Sequence, residues 1–85
     1  MQTSLMDFTV AQTNEQLNLR FFSKHPANTR LTFFDVTGKK MLEMELMITE
    51  GINYHPLNCV SIATWLYKLE IEGKGIMQRE KVIVR

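Results

Sequence analysis

The stretch "DVTGKK", residues Asp35 to Lys40, sets an acidic residue three positions before a glycine and places two lysines after it. One chemistry that such spacing raises is phosphate binding. A phosphate loop needs several glycines whose backbone N–H groups cradle the anion, followed by a lysine and a hydroxyl residue at the start of a helix. This stretch has one glycine, and Lys40 stands where the hydroxyl should be. The other chemistry is conformational. Asp at the first position of a type I turn accepts hydrogen bonds from its own backbone, and Gly three residues on takes the left-handed conformation that lets two strands meet through a bulge. The spacing predicts a hairpin turn over Asp35 to Gly38, with Lys39 and Lys40 exposed.

Other reactive residue types are sparse. His55 and Cys59 lie four apart with His25 distant, whereas a structural zinc site takes four ligands from closely spaced pairs. An exposed His55 and a buried Cys59 are expected. Neither Cys59 nor Ser61 has an orienting base that the sequence identifies, because nucleophile, base and third group meet only in the fold. Glu43 and Glu45, two apart, are read as neighbours on the outer face of a strand. No catalytic residue, metal ligand or cofactor is expected, so the chain reads as non-catalytic.

The elements that would hold these residues follow from length and alternation. Eighty-five residues make one domain, 1–85, with a thin core and modest stability. Ten Lys plus Arg against nine Asp plus Glu give a net charge of +1, with the basic residues scattered. A nucleic-acid surface needs a one-sided basic patch, so no nucleic-acid partner is expected. Cys59 is the single cysteine, which excludes an intrachain disulfide. The opening "MQTSLMDFTVAQ" lacks a basic leader and a long apolar run, so no signal peptide and no membrane insertion are read there.

Several short segments alternate apolar and polar residues between turn signals, the period-2 pattern of half-buried strands. Met6, Phe8 and Val10 share one face; Leu17, Leu19 and Phe21 share another, with "TNEQ" as the turn between them. After the loop "SKHPAN", Leu31 and Phe33 point one way and Phe34 the other. The second-face aromatics Phe22 and Phe34 are expected to be covered by a sandwich edge or loop. Later, Trp65, Tyr67, Leu69 and Ile71 line up, "EGKG" returns the chain, and Val82 and Val84 oppose Ile83. "KKMLEMELMITEG" is rich in helix formers, with Gly51 where a helix cap would sit. Met44, Leu46 and Ile48 also fit a strand, and a lone helix would interrupt a run of short strands, so a strand is predicted. The sum is an all-β domain, a small β-sandwich of about seven short, mostly antiparallel strands.

Residues 17–85 resemble the C-terminal sorting domain of the type IX (Por) secretion system of Bacteroidetes, with 1–16 adding an N-terminal strand and turn. In that family an alternating apolar strand precedes a segment reading apolar-x-apolar-x-Asp-x-x-Gly-Lys, then an apolar-Asp-Leu-Ser-x-Leu-x-x-Gly-apolar-Tyr block and a basic final strand. "LNL", "LTFFDVTGKKM", "LNCVSIATWLYKLEI" and "REKVIVR" are similar to these in order. Two features depart from the pattern: no Asn-Pro precedes Leu17, and Trp65 stands where the family has Gly.

The resemblance implies an immunoglobulin-like sandwich that serves as a signal read by the secretion machinery, on a longer precursor bound for the cell surface or medium. By the same resemblance, the motif residues are Asp35, Gly38, Lys39, Leu66 and Tyr67. The segment Lys81, Val82, Ile83, Val84 and Arg85 is the expected receptor contact. A protein partner is implied, either the machinery or a passenger domain. The competing expectation is a stand-alone or accessory sandwich that docks a protein through a sheet edge or the second-face aromatics.

Overall fold

The computed structural model describes residues 5–58, 65–73 and 75–85, and of Trp65 the backbone alone. Cys59 and Ser61, the side chain of Trp65 and the Lys74 position of the "EGKG" turn lie outside the described residues. Seven strands follow one another: β1 (Met6–Thr13), β2 (Gln16–Ser23), β3 (Ala27–Phe34), β4 (Lys40–Ile48), β5 (Gly51–Asn58), β6 (Trp65–Gly73) and β7 (Ile76–Val84). They form two antiparallel sheets, ordered β1-β2-β5 and β4-β3-β6-β7. This is a small β-sandwich of three strands on four in which β4 stays beside β3; in the constant-type immunoglobulin arrangement the fourth strand joins the first sheet instead.

Alternation in the sequence becomes a two-sided core. Leu17, Leu19 and Phe21 from β2 meet Leu31 and Phe33 from β3, with Leu69 and Ile71 from β6 and Ile48 from β4, all essentially without solvent contact. Burying each such side chain contributes about 1.5–3 kcal/mol. Because β2 and β3 are interior strands of their sheets, these residues are shielded on every side, and the sandwich is anchored there.

The segment over 40–48 is strand β4, as its alternation predicted over its helix propensity. Leu46 and Ile48 are buried and Leu42 packs against the core, so the apolar face decides the outcome that propensity would have reversed. Gly51, with φ +101, serves a strand connection instead of a helix end. The buried Asn53 knits that connection: its Oδ1 accepts from the Thr49 N–H at 2.9 Å, and its Nδ2 donates to the carbonyls of Thr49 and Gly51 at 2.9 and 3.1 Å. On the crossing from β2 to β3, the buried Ser23 hydroxyl donates to the His25 carbonyl at 2.7 Å.

Two expectations require correction. Met6 is exposed on the outer face, while Phe8 and Val10 pack on the core and Leu5 is buried. The cause is a bulge: Asp7 has φ +53, and the register with β2 shifts between Met6 and Thr9, which flips the strand's faces. His55 is half-buried, not exposed. It stands on the inward face of β5 beside Asn53 and Leu57, stacked on Phe21 with centroids 5.9 Å apart.

Candidate functional site

Asp35 organises the β3–β4 turn through a single carboxylate oxygen. Its Oδ1 accepts from the Thr37 N–H at 2.9 Å, the Thr37 hydroxyl at 2.6 Å and the Lys39 N–H at 3.0 Å. The backbone closes the same loop, with Gly38 N–H donating to the Asp35 carbonyl at 3.1 Å and Asp35 N–H to that of Lys39 at 2.9 Å. Gly38 sits at φ +89, and the register of β3 with β4 slips between Phe33 and Phe34. These are the parts of a capped turn with a glycine bulge. The Thr37 hydroxyl above all, then the Lys39 N–H, hold the Asp35 carboxyl below the usual carboxylate range. A cradle of N–H groups for an anion is not what this loop offers, since the N–H groups of Thr37 and Lys39 are already spent on Asp35.

This turn does not stand alone. Its residues 35–38 form one wall of a shallow groove of about 520 Å³, and Phe34, Leu66, Tyr67, Lys68, Glu70 and Lys81 form the rest. The register explains the meeting: Phe34 pairs with Lys68, Lys68 with Lys81, and Leu66 with Ile83. The outer face of the sheet therefore carries Phe34, Lys68 and Lys81 in one row across three strands, with Leu66 and Ile83 in the next. Of the residues singled out by sequence, Asp35, Gly38, Leu66, Tyr67 and Lys81 come together here, and Lys39 is exposed outside the lining.

The end of β7 divides by face. Val82 and Val84 are buried in the core, so their side chains are out of a partner's reach. Lys81, Ile83 and Arg85 are exposed, and β7 is an edge of its sheet. Tyr67 likewise turns inward, stacking on Phe33 with centroids 5.0 Å apart. Past the strand, Gln12 of β1 clasps the backbone of Arg85: its Oε1 accepts from the Arg85 N–H at 2.8 Å, and its Nε2 donates to the Arg85 carbonyl at 2.6 Å. Phe34, Lys68 and Gln12 escape a motif reading. Alternation alone would have put Lys68 and Lys81 on the outer face, while nothing in the sequence joins Gln12 to Arg85.

The second-face aromatics Phe22 and Phe34 are both half-buried. Met6, Phe22 and Ile52 pair directly across the outer face of the three-stranded sheet, where Phe22 is half-buried between its neighbours and Ile52 is 64% exposed. Phe34 lies in the groove beside the turn. Among the described residues no three His, Cys, Asp or Glu side chains gather closely enough to hold a metal ion, and no helix is long and apolar enough to cross a membrane. No protein-family model, curated protein or solved structure matches this chain.

Proposed function

We propose that this domain is a non-catalytic sorting signal of the type IX kind, read by a protein receptor of the secretion machinery and carried to the cell surface or medium. One observation carries the reading: the resemblance rests on motifs far apart in sequence, and Asp35, Gly38, Leu66 and Lys81 converge on a single groove beside an open edge strand. The turn and groove then act as a displayed shape, and Lys81, Ile83 and Arg85 supply charge and apolar contact along the edge. The accessory-module reading draws on a different surface, the Met6, Phe22 and Ile52 row on the opposite sheet.

Residues 1–85 fused behind a reporter with its own inner-membrane signal peptide, in a host with type IX machinery, should carry the reporter to the surface or medium. Replacing Lys81 and Arg85 with Gln should reduce export without unfolding the domain, because Gln12 holds the Arg85 backbone and not its side chain. Removing residues 81–85 outright would also take Val82 and Val84 from the core, which is why the Gln pair is the informative change. A reporter kept in the periplasm by the intact fusion rejects sorting in favour of the accessory module.

A further inference from the structure

Among the described residues the two sheets have four edge strands: β1 and β5 on one, β4 and β7 on the other. An edge is a row of unpaired backbone groups, and folded proteins blunt it with bulges, proline or charge. β1 has the bulge at Asp7, and β5 has Pro56, which removes a donor from its edge. β7 has neither: it pairs with β6 from Ile76 to Val84 without a register shift. The irregularity of β4 is confined to its start, before Leu42. These two edges of the four-stranded sheet are blunted by charge, and the charges have opposite sign. On the outer face β4 presents Glu43, Glu45 and Met47, while β7 presents Met77, Arg79, Lys81 and Ile83.

We propose that the four-stranded sheet binds a second copy of this chain edge to edge, β7 of one molecule pairing antiparallel with β4 of the next. Each like-edge pairing is disfavoured: β4 against β4 brings carboxylates together, and β7 against β7 brings cations together. The mixed pairing has matching length, since Lys40–Ile48 and Ile76–Val84 are both nine residues. Laid end to end, Ile76 meets Ile48, Met77 meets Met47, Arg79 meets Glu45 and Lys81 meets Glu43. Direction also agrees. Every neighbouring pair in the order β4-β3-β6-β7 is antiparallel, so β4 and β7 run oppositely and a second copy in the same orientation continues the alternation.

Among the described residues Glu45 and Lys81 have no ion pair of their own; Glu43 is bonded to Lys40 at 2.9 Å and Arg79 to Glu70 at 3.2 Å, and each would share its charge with the new partner. Glu80, which points inward from β7, accepts from the Gln78 amide at 2.7 Å and so does not bring a bare carboxylate to the joint. The backbone ladder supplies the attraction, and the charges choose the edge and the register. Such a contact is heterologous, since each molecule gives one edge and receives the other. It stands independently of the sorting reading.

Sedimentation of the whole chain over a range of concentrations tests this. Mass should rise with concentration at low ionic strength, and the association constant should fall by about tenfold or more at high ionic strength as the charge pairs are screened. E43K/E45K alone and R79E/K81E alone should each lose association, because each turns the mixed joint into a like-charged one. An equimolar mixture of the two should regain it. Melting curves establish that the reversed chains fold, and if either does not, Glu45→Gln and Lys81→Gln take their place and should each weaken association. A chain that stays monomeric at low ionic strength, reversed variants that associate as well as the parent, or a mixture that fails to regain association overturns the proposal.

Discussion

At Gly38 a side chain would meet no atom within 4 Å, yet the residue sits at φ +89. Space is therefore not what requires glycine there; the backbone is. Gly38→Val should cost about 1–2 kcal/mol through conformational strain alone, read as a lower denaturation midpoint. An unchanged midpoint would mean the turn relaxes at no cost. His55 offers a different test. Burial pushes its imidazole pKa below the ordinary value, and among the described residues its buried Nε2 finds no hydrogen-bond partner. The unfolded chain then binds a proton at higher pH than the folded one does. The stability this neutral histidine brings is complete above the unfolded pKa and is lost as pH falls from there through the folded value. His55→Phe keeps a ring on Phe21 and removes the titration. Melting temperatures recorded between about pH 7 and pH 5 should fall for the parent and fall less steeply for the variant; parallel curves would exclude the histidine as the cause.

Where β6 ends, the demand for glycine is steric. A Cβ on Gly73 would lie 2.6 Å from Thr29 Cγ2 and 2.7 Å from the Asn28 carbonyl oxygen, and Thr29, its partner in β3, is buried with its hydroxyl donating to the Leu46 carbonyl at 2.7 Å. Gly73→Ala should destabilise by about 1–3 kcal/mol as an overpacked site. Adding Thr29→Ser, which deletes the clashing methyl and keeps the hydroxyl, should recover only part of that loss, because the backbone oxygen stays. Full recovery in a denaturant titration would show that the methyl was the whole obstacle. The strands themselves were largely legible. Alternation found the buried faces of β2, β3, β6 and β7, and Asp35 with Gly38 marked the turn. What alternation could not anticipate was a phase change inside a strand: no residue type near Asp7 announces its positive φ, so Met6 and Leu5 exchanged faces unseen. His55 was misplaced for a related reason, because a polar ring on an edge strand reads as solvent-facing until the aromatic beneath it is known.

For the molecule as a whole, the candidate site was legible as separate motifs and not as a place. The groove exists because β3, β6 and β7 are neighbours in one sheet, an order that depends on three crossings between sheets, from β2 to β3, from β4 to β5 and from β5 to β6, whose lengths say nothing of which strand comes next. Gln12 and Arg85 illustrate the limit most plainly, 73 positions apart and joined by two hydrogen bonds. That clasp also has a mechanical meaning. Both β1 and β7 run toward the end of the sandwich where Gln12 meets Arg85, so tension applied through residues 5 and 85 pulls the two strands lengthwise in opposite senses. Load would reach the β1–β2 and β6–β7 ladders in shear, straining many backbone bonds together, and the amide of Gln12 is the rivet that first opposes sliding between the sheets. In single-molecule pulling, Gln12→Ala should lower the rupture force and leave the contour length released unchanged, whereas pulling across the hairpin at residues 73 and 76 should unzip the bonds one at a time at a far smaller force. A sandwich this small would then yield easily or hold firmly depending only on which two points are gripped.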